Sequence, residues 1–286
     1  MTRRKSPLRK FISRLVLIAI IFVGSNFLLS EIADWSAYRE PIQLDQTEWN
    51  AIMNKISRKD SLSDSDYENI YTQTGLGKPA VKKLIRTNQR NKVQEYYNYY
   101  KQEKSFECVR EGVFAYHEYI TDEEGNPIYN PQFADLQNGD IIVTLSIHSF
   151  GWRHGHAAIV TDASNGTTVQ AVMMGEQSNF GNVSEFSQFP LVAVLRAKDT
   201  DTETRQDIAN YATSLVGIDY SLFAGMFEKN TDEMLESTQC AHLVWYAYNK
   251  YGIDIDSNGG DTITPKDILN SDKLEIVQVY GSIEEL

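Results

Sequence analysis

Two of the 286 residues are cysteines, and one of them, Cys240, stands where a thiol can act as a nucleophile. It follows Ser237-Thr238-Gln239 and opens a predicted helix that runs to Tyr251 and is ended by Gly252. A helix N-terminus carries partial positive charge and unpaired N–H groups, which favour the thiolate. Thiolate is the attacking form of cysteine. The backbone N–H of Cys240, with a neighbour such as Gln239, is placed to receive an oxyanion. Such a thiol needs an imidazole base. His156 opens a strand whose hairpin turn, Asp162-Ala163-Ser164-Asn165-Gly166, centres near Ala163. That centre sets His156 opposite Gln170, with both side chains on one face. Gln170 then holds one ring nitrogen and leaves the other for Cys240, the orienting role of a third catalytic group. A register slip of one residue would break the arrangement.

The same residue types admit other chemistry. Outside the reducing cytosol, Cys108 and Cys240 could form a disulfide, although the helix-start position of Cys240 favours a free thiol. Cys108 then reads as a small buried hydrophobe. His148, His154, His156 and Cys240 form a second alternative, a zinc set, with His154 and His156 alternating onto one strand face. No further Cys or clustered carboxylate supports it, and no cofactor is expected; His154 is assigned to the rim of a substrate cleft. His117, in the helical region, and His242, on the nucleophile's helix, read as structural. Asp60, Asp64 and Asp66 lack the glycine and closing glutamate of a calcium loop and read as a helix start.

These residues need elements to position them. From residue 31 to 130 the pattern is helical, polar and rich in tyrosine. Thr47 or Asp45 caps a helix carrying Trp49, Ile52, Met53 and Ile56, and Ser63 begins another. Gly75 and Gly77 interrupt it before a third helix from Pro79. Tyr96 and Tyr100 share one helix face with Tyr97 turned away, which reads as interhelical packing rather than a stacking platform. After residue 131 the pattern becomes α+β: strands at 141–145, 156–160, 168–172 and 191–196, a helix from Thr202, the Cys240 helix, a Thr264-Pro265 helix start and a closing strand at 274–280.

Charge and the leader place this body. Lys plus Arg number 27 against 39 Asp plus Glu, a net charge of −12. Six of the positives lie in residues 1–14, leaving 21 against 39 acids beyond them. So acidic a body repels phosphate backbones, and nucleic acid is excluded as a partner class. Behind the basic cluster the apolar run Leu15–Val23 is nine residues, fifteen when counted on to Leu29. It is an address, either a cleaved signal peptide or a membrane anchor within residues 1–30. Either way the positives stay in the cytosol and the body is extracytoplasmic.

Several of these pieces together resemble a known family. Gly139-Asp140-Ile141-Ile142, Gly155-His156-Ala157-Ala158-Ile159-Val160, Val169-Gln170-Ala171, Val194-Leu195-Arg196, Val216-Gly217-Ile218-Asp219-Tyr220, Cys240 before Val244-Trp245, and Ile263-Thr264-Pro265 resemble the YiiX/YebB-like branch of the NlpC/P60 cysteine hydrolases. The resemblance covers about Asp135 to Gln278. It implies a circularly permuted papain-like domain over 131–286, preceded by the helical region 31–130 and the leader. It also implies a thiol amidase or peptidase, with Tyr220 in the cleft and peptidoglycan peptide as the expected substrate; some relatives act on lipid acyl groups. Two positions depart from the branch: Gln170 stands where Glu is usual, and Ala241-His242 where Ser-Glu is usual. They motivate an alternative, a catalytically weak module that binds wall peptide or lipid in the same groove.

Overall fold

The computed structural model describes residues 7–36, 46–102, 104–112, 115–224 and 235–281. Its first helix, α1 (Pro7–Ser36), exposes its apolar side chains along Phe11–Leu29, 19 residues long. The expected run was shorter because Ser13 and Arg14 interrupt it; a helix tolerates both near its basic end, which adds Phe11 and Ile12. Arg3, Arg4 and Lys5 of the basic cluster, and the alternative cap Asp45, lie outside the described residues.

Four helices follow: α2 (Gln46–Arg58), α3 (Asp64–Thr74), α4 (Lys78–Arg86) and α5 (Asn91–Tyr100). Helix α2 buries Trp49, Ile52 and Ile56, the stripe read from the sequence. Helix α3 begins in a reciprocal cap: Ser63 Oγ accepts from Asp66 N at 3.1 Å, and the Asp66 carboxylate accepts from Ser63 N at 2.8 Å. Lys55 also binds that carboxylate at 2.8 Å, so Asp66 is committed to a cap and an ion pair. Tyr97 is not turned away. It is buried beside Tyr96 and stacks on Trp49, 4.1 Å between ring centroids, because α5 has neighbours on two sides.

The expected helical character of 31–130 ends at Tyr100. Strands β1 (Ser105–Arg110) and β2 (Tyr116–Thr121) form an antiparallel pair, so His117 sits on a strand. Tyr116, Glu118 and Ile120 are buried at a period of two, a strand signal that the tyrosine-rich composition masks.

Beyond this lie β3 (Ile141–Thr144), β4 (Ile147–His148), β5 (His156–Asp162), β6 (Thr167–Gln170), β7 (Asn179–Asn182), β8 (Val192–Ala197), α6 (Thr202–Ser214), β9 (Asp219–Tyr220), β10 (Ser237–Thr238), α7 (Cys240–Asn249), α8 (Pro265–Leu269) and β11 (Leu274–Tyr280). Six of them make one antiparallel sheet in the order β11-β8-β3-β5-β6-β7, while β4 extends the β1–β2 sheet. Both faces of the six-stranded sheet are covered, as its nearly continuous apolar strands require. Ile141, Val143, Ala157 and Ile159 meet Ile208 of α6 and Leu243 and Val244 of α7. Ile142, Ala158, Val160 and Val194 meet Trp49, Ile52 and Leu84 of the helical region. Helices α2 to α5 are therefore one layer of a mixed α+β body and share its core. Arg196 ties the layers together: it binds Asp140 through Nε and Nη2 at 2.7 and 2.8 Å and Asp135 through Nη1 at 2.7 Å, and Lys83 of α4 reaches Asp135 at 3.0 Å.

Candidate active site

Cys240 is the first residue of α7, and the chain enters that helix through an extended Gln239. The Gln239 side chain is the cap: its Oε1 accepts from Ala241 N at 2.9 Å, and its Nε2 donates to Ile263 O at 2.7 Å. Gln239, assigned from the sequence to the substrate site beside the Cys240 N–H, thus has its side chain engaged in the cap. Buried and engaged at both ends, it shapes the turn that presents the thiol. Sγ itself lies 3.4 Å from Gln239 Oε1. Burial pushes the Cys240 thiol up, but the His156 hydrogen bond and charge, with the backbone N–H groups of Ala157 and Ala241, outweigh it and bring the thiol below its usual range.

His156 reaches the thiol from the first position of β5. Gly155 makes the turn into that strand at φ 68°, where a Cβ would lie 2.4 Å from Thr144 O, so both the backbone sign and the space call for glycine. Burial pulls the imidazole down; the Cys240 bond and charge, the Gln170 bond and the Glu185 charge overcome this and hold it above its ordinary value. Opposed shifts of this kind describe a coupled pair in which each partner favours the charged form of the other.

Gln170 Oε1 lies 2.8 Å from His156 Nε2, leaving Nδ1 as the ring atom for the thiol. The expected contact exists, yet by a different register. Val160 pairs with Thr168 and Ile159 with Val169, so the hairpin centres on Ser164 rather than Ala163. A one-residue move of the centre shifts the pairing by two positions. Two is the side-chain period of a strand, so His156 and Gln170 keep the same face and meet diagonally.

Sequence reading missed the residue behind Gln170. Glu185 Oε2 accepts from Gln170 Nε2 at 2.8 Å, while Oε1 accepts from Asn182 N at 2.8 Å as part of the cap of the 3-10 turn Val183–Phe186. An amide can present either end to an imidazole; a carboxylate on its NH2 end fixes the oxygen toward His156. Gly181 makes room for this, since a Cβ there would lie 2.2 Å from Gln170 Nε2. Phe186 stacks on the imidazole, 5.8 Å between centroids at 13°. Asn182-x-x-Glu185 is a legible cap pattern, but nothing in it shows that the carboxylate reaches a neighbouring strand.

The other candidates separate. Tyr220, half-buried on β9, shares the α7-side core with Cys240; burial and then the Cys240 charge push its hydroxyl up to about 12. His154 precedes β5 instead of lying on it, with Nε2 3.3 Å from Ser149 Oγ and Nδ1 3.2 Å from Gly155 O. It therefore does not share a strand face with His156, as the zinc alternative requires. His148 is directed to Cys108, Nε2 to Sγ 3.5 Å, and to Glu118 at 3.5 Å. Among the described residues no group of three His, Cys, Asp or Glu could hold a metal ion. Both cysteines are free thiols, which removes the disulfide alternative. Cys108 is half-buried beside a histidine, not a plain hydrophobe. His242 is buried on α7 against Trp245 and is pushed down to about 4 by burial, in keeping with a structural role. Comparison of the chain with protein-family models, with curated proteins and with solved structures gave no match.

Proposed function

We propose that the protein is a cysteine hydrolase of amide bonds, acting outside the cytoplasm on peptides of the cell wall, with a permuted papain-like catalytic domain. The observation that carries this reading is the Cys240–His156 pair at the start of α7, with the thiol lowered and the imidazole raised by one another. Cys240 Sγ attacks the carbonyl carbon, and the developing oxyanion is met by the Cys240 backbone N–H at the positive end of the helix. The C–N bond breaks as His156 gives its proton to the leaving amine, which leaves a thioester on Sγ. Water then attacks that carbonyl, His156 takes the water's proton, and the C–S bond breaks to release the acid and the thiolate.

Gln170 fixes the ring, and Glu185 makes up the negative charge that an amide lacks. This weakens the chief reason for the alternative, a binding module of low activity, because Gln170 does not stand alone. Tyr220 and His154 are assigned to the walls of the substrate groove. A thiol-directed electrophile at neutral pH, followed by hydrolysis of a synthetic stem peptide, tests the reading. Labelling of Cys240 and hydrolysis should both vanish in Cys240→Ser. A protein that keeps peptide affinity, and whose unsubstituted form shows no turnover on wall peptides, would be the binding module instead.

A further inference from the structure

Helix α1 is largely apolar over Phe11–Leu29, and the one residue buried along that stretch is polar and aimed at the body of the protein. Asn26 is 2% exposed, and its Oδ1 accepts from Phe150 N at 2.7 Å. One helical turn earlier, the Phe22 ring lies 4.6 Å from that of Phe150. One turn later, Leu29 meets Gly151 so closely that a Cβ on the glycine would lie 2.7 Å from Leu29 O. Three contacts at a helical spacing make a specific seat for the loop joining β4 and β5. A signal peptide destined for removal needs no such seat, and an amide inside an apolar helix is costly unless it has a partner.

The position of the seat along the helix sets its depth. Nineteen residues rise about 28 Å, close to a hydrocarbon thickness. The basic residues lie at the N-terminal end, which keeps that end in the cytosol. Phe22 to Leu29 is then the outer two-fifths of the span, roughly 10 Å of it. Whatever leaflet surrounds those residues must also reach the loop bound to them. At the loop's tip Trp152 is 64% exposed, an amphipathic ring of the type that settles at headgroup level.

We propose that α1 is retained as an anchor and holds the loop 149–152 in the outer leaflet of the bilayer, with Trp152 at the interface. The Asn26–Phe150 bond satisfies both polar groups where lipid offers no partner. This inference does not depend on Cys240 being a nucleophile.

The test uses the full chain in phosphatidylcholine–phosphatidylglycerol vesicles whose acyl chains carry bromine, which quenches tryptophan emission by contact. The quenched part of the emission should shrink in Trp152→Phe, and the chain recovered from membranes should have the mass of one that still contains residues 11–29. Asn26→Leu keeps the span apolar but removes the bond; it should stay in the membrane while losing the Trp152 share of the quenching. Equal quenching with and without Trp152 would overturn the proposal, as it would if a second copy of the chain covered the loop. A mature chain beginning after the apolar stretch would overturn it as well.

Discussion

The molecule holds two cysteine–histidine pairs, and they are in opposite states. Cys240 and His156 shift toward each other's charge, thiol down and imidazole up. Cys108 and His148 lie 3.5 Å apart, yet His148 is pushed down to about 4, by burial first and then by the charges of Arg153, His154 and His117. A negative group is close to both rings. At the first site, Glu185 is relayed to the ring through a neutral amide. At the second, Arg153 takes Glu118 at 2.6 Å, and its charge, with those of His154 and His117, adds to burial in pulling the fully buried His148 down. Proximity of sulfur and imidazole is therefore insufficient to make a nucleophile: at His156 the bonds and charges of Cys240, Gln170 and Glu185 together outweigh burial, and at His148 burial and the cationic neighbours prevail.

The contrast can be broken most severely at the thiols. Cys240→Ser should lower hydrolysis by roughly 10⁴-fold or more, whereas Cys108→Ser should leave turnover nearly unchanged. Electrophile labelling of the unsubstituted protein at pH 7, read by peptide mass, should fall on Cys240 far faster than on Cys108. Exchanging the bases gives the next effect. His156→Ala should carry the labelling midpoint of Cys240 up toward the ordinary thiol range of about 8.5, and His148→Ala should not move it.

Acid stability reads the same contrast with the sign reversed. His148 titrates at about 4 in the fold and about 6.5 unfolded, so the unfolded chain takes up the extra proton between those values. Its contribution is complete above pH 6.5 and is lost as pH falls toward 4, about 3 kcal/mol by the size of the shift. His242 shares that window. His148→Asn should therefore flatten part, not all, of the fall in denaturation midpoint from pH 7 to 4.5. His156, raised in the fold, works oppositely: its contribution is present below about 6.5 and disappears as pH rises through its folded value.

The smallest expected effect sharpens the comparison most. Glu185→Gln keeps the shape of the relay and removes its charge. Hydrolysis should fall about tenfold, near 1.4 kcal/mol of barrier. The alkaline limb of the rate profile should move to lower pH as the His156 imidazole loses support. A fall in rate with an unmoved limb would limit Glu185 to holding the loop.

Much of this site could be read from the sequence because helix starts and strand alternation are local. Cys240 at the head of α7, Thr264 capping α8 and the apolar stripe of α2 each follow from a few neighbouring residues. The His156–Gln170 contact survived a misplaced turn centre only because the error equalled one side-chain period. What escaped is non-local. Glu185 lies in a 3-10 turn whose cap explains it locally, so its second oxygen's partner was invisible. His148 entered the sequence reading only as a zinc candidate; its partner Cys108 and the Arg153–Glu118 ion pair beside it come from separate elements, which no local pattern shows. Strands β1 and β2 were hidden by a composition that resembles the helices before them.

The carboxylate of Glu185 closes a turn with one oxygen and holds Gln170 with the other. Arming the thiol is consequently linked to finishing the sheet. Until β7 has docked along β6 and the 183–186 turn has closed behind it, the amide of Gln170 has no fixed sense and the imidazole no settled tautomer. A chain caught half-assembled carries its sulfur without the imidazole held in place beside it.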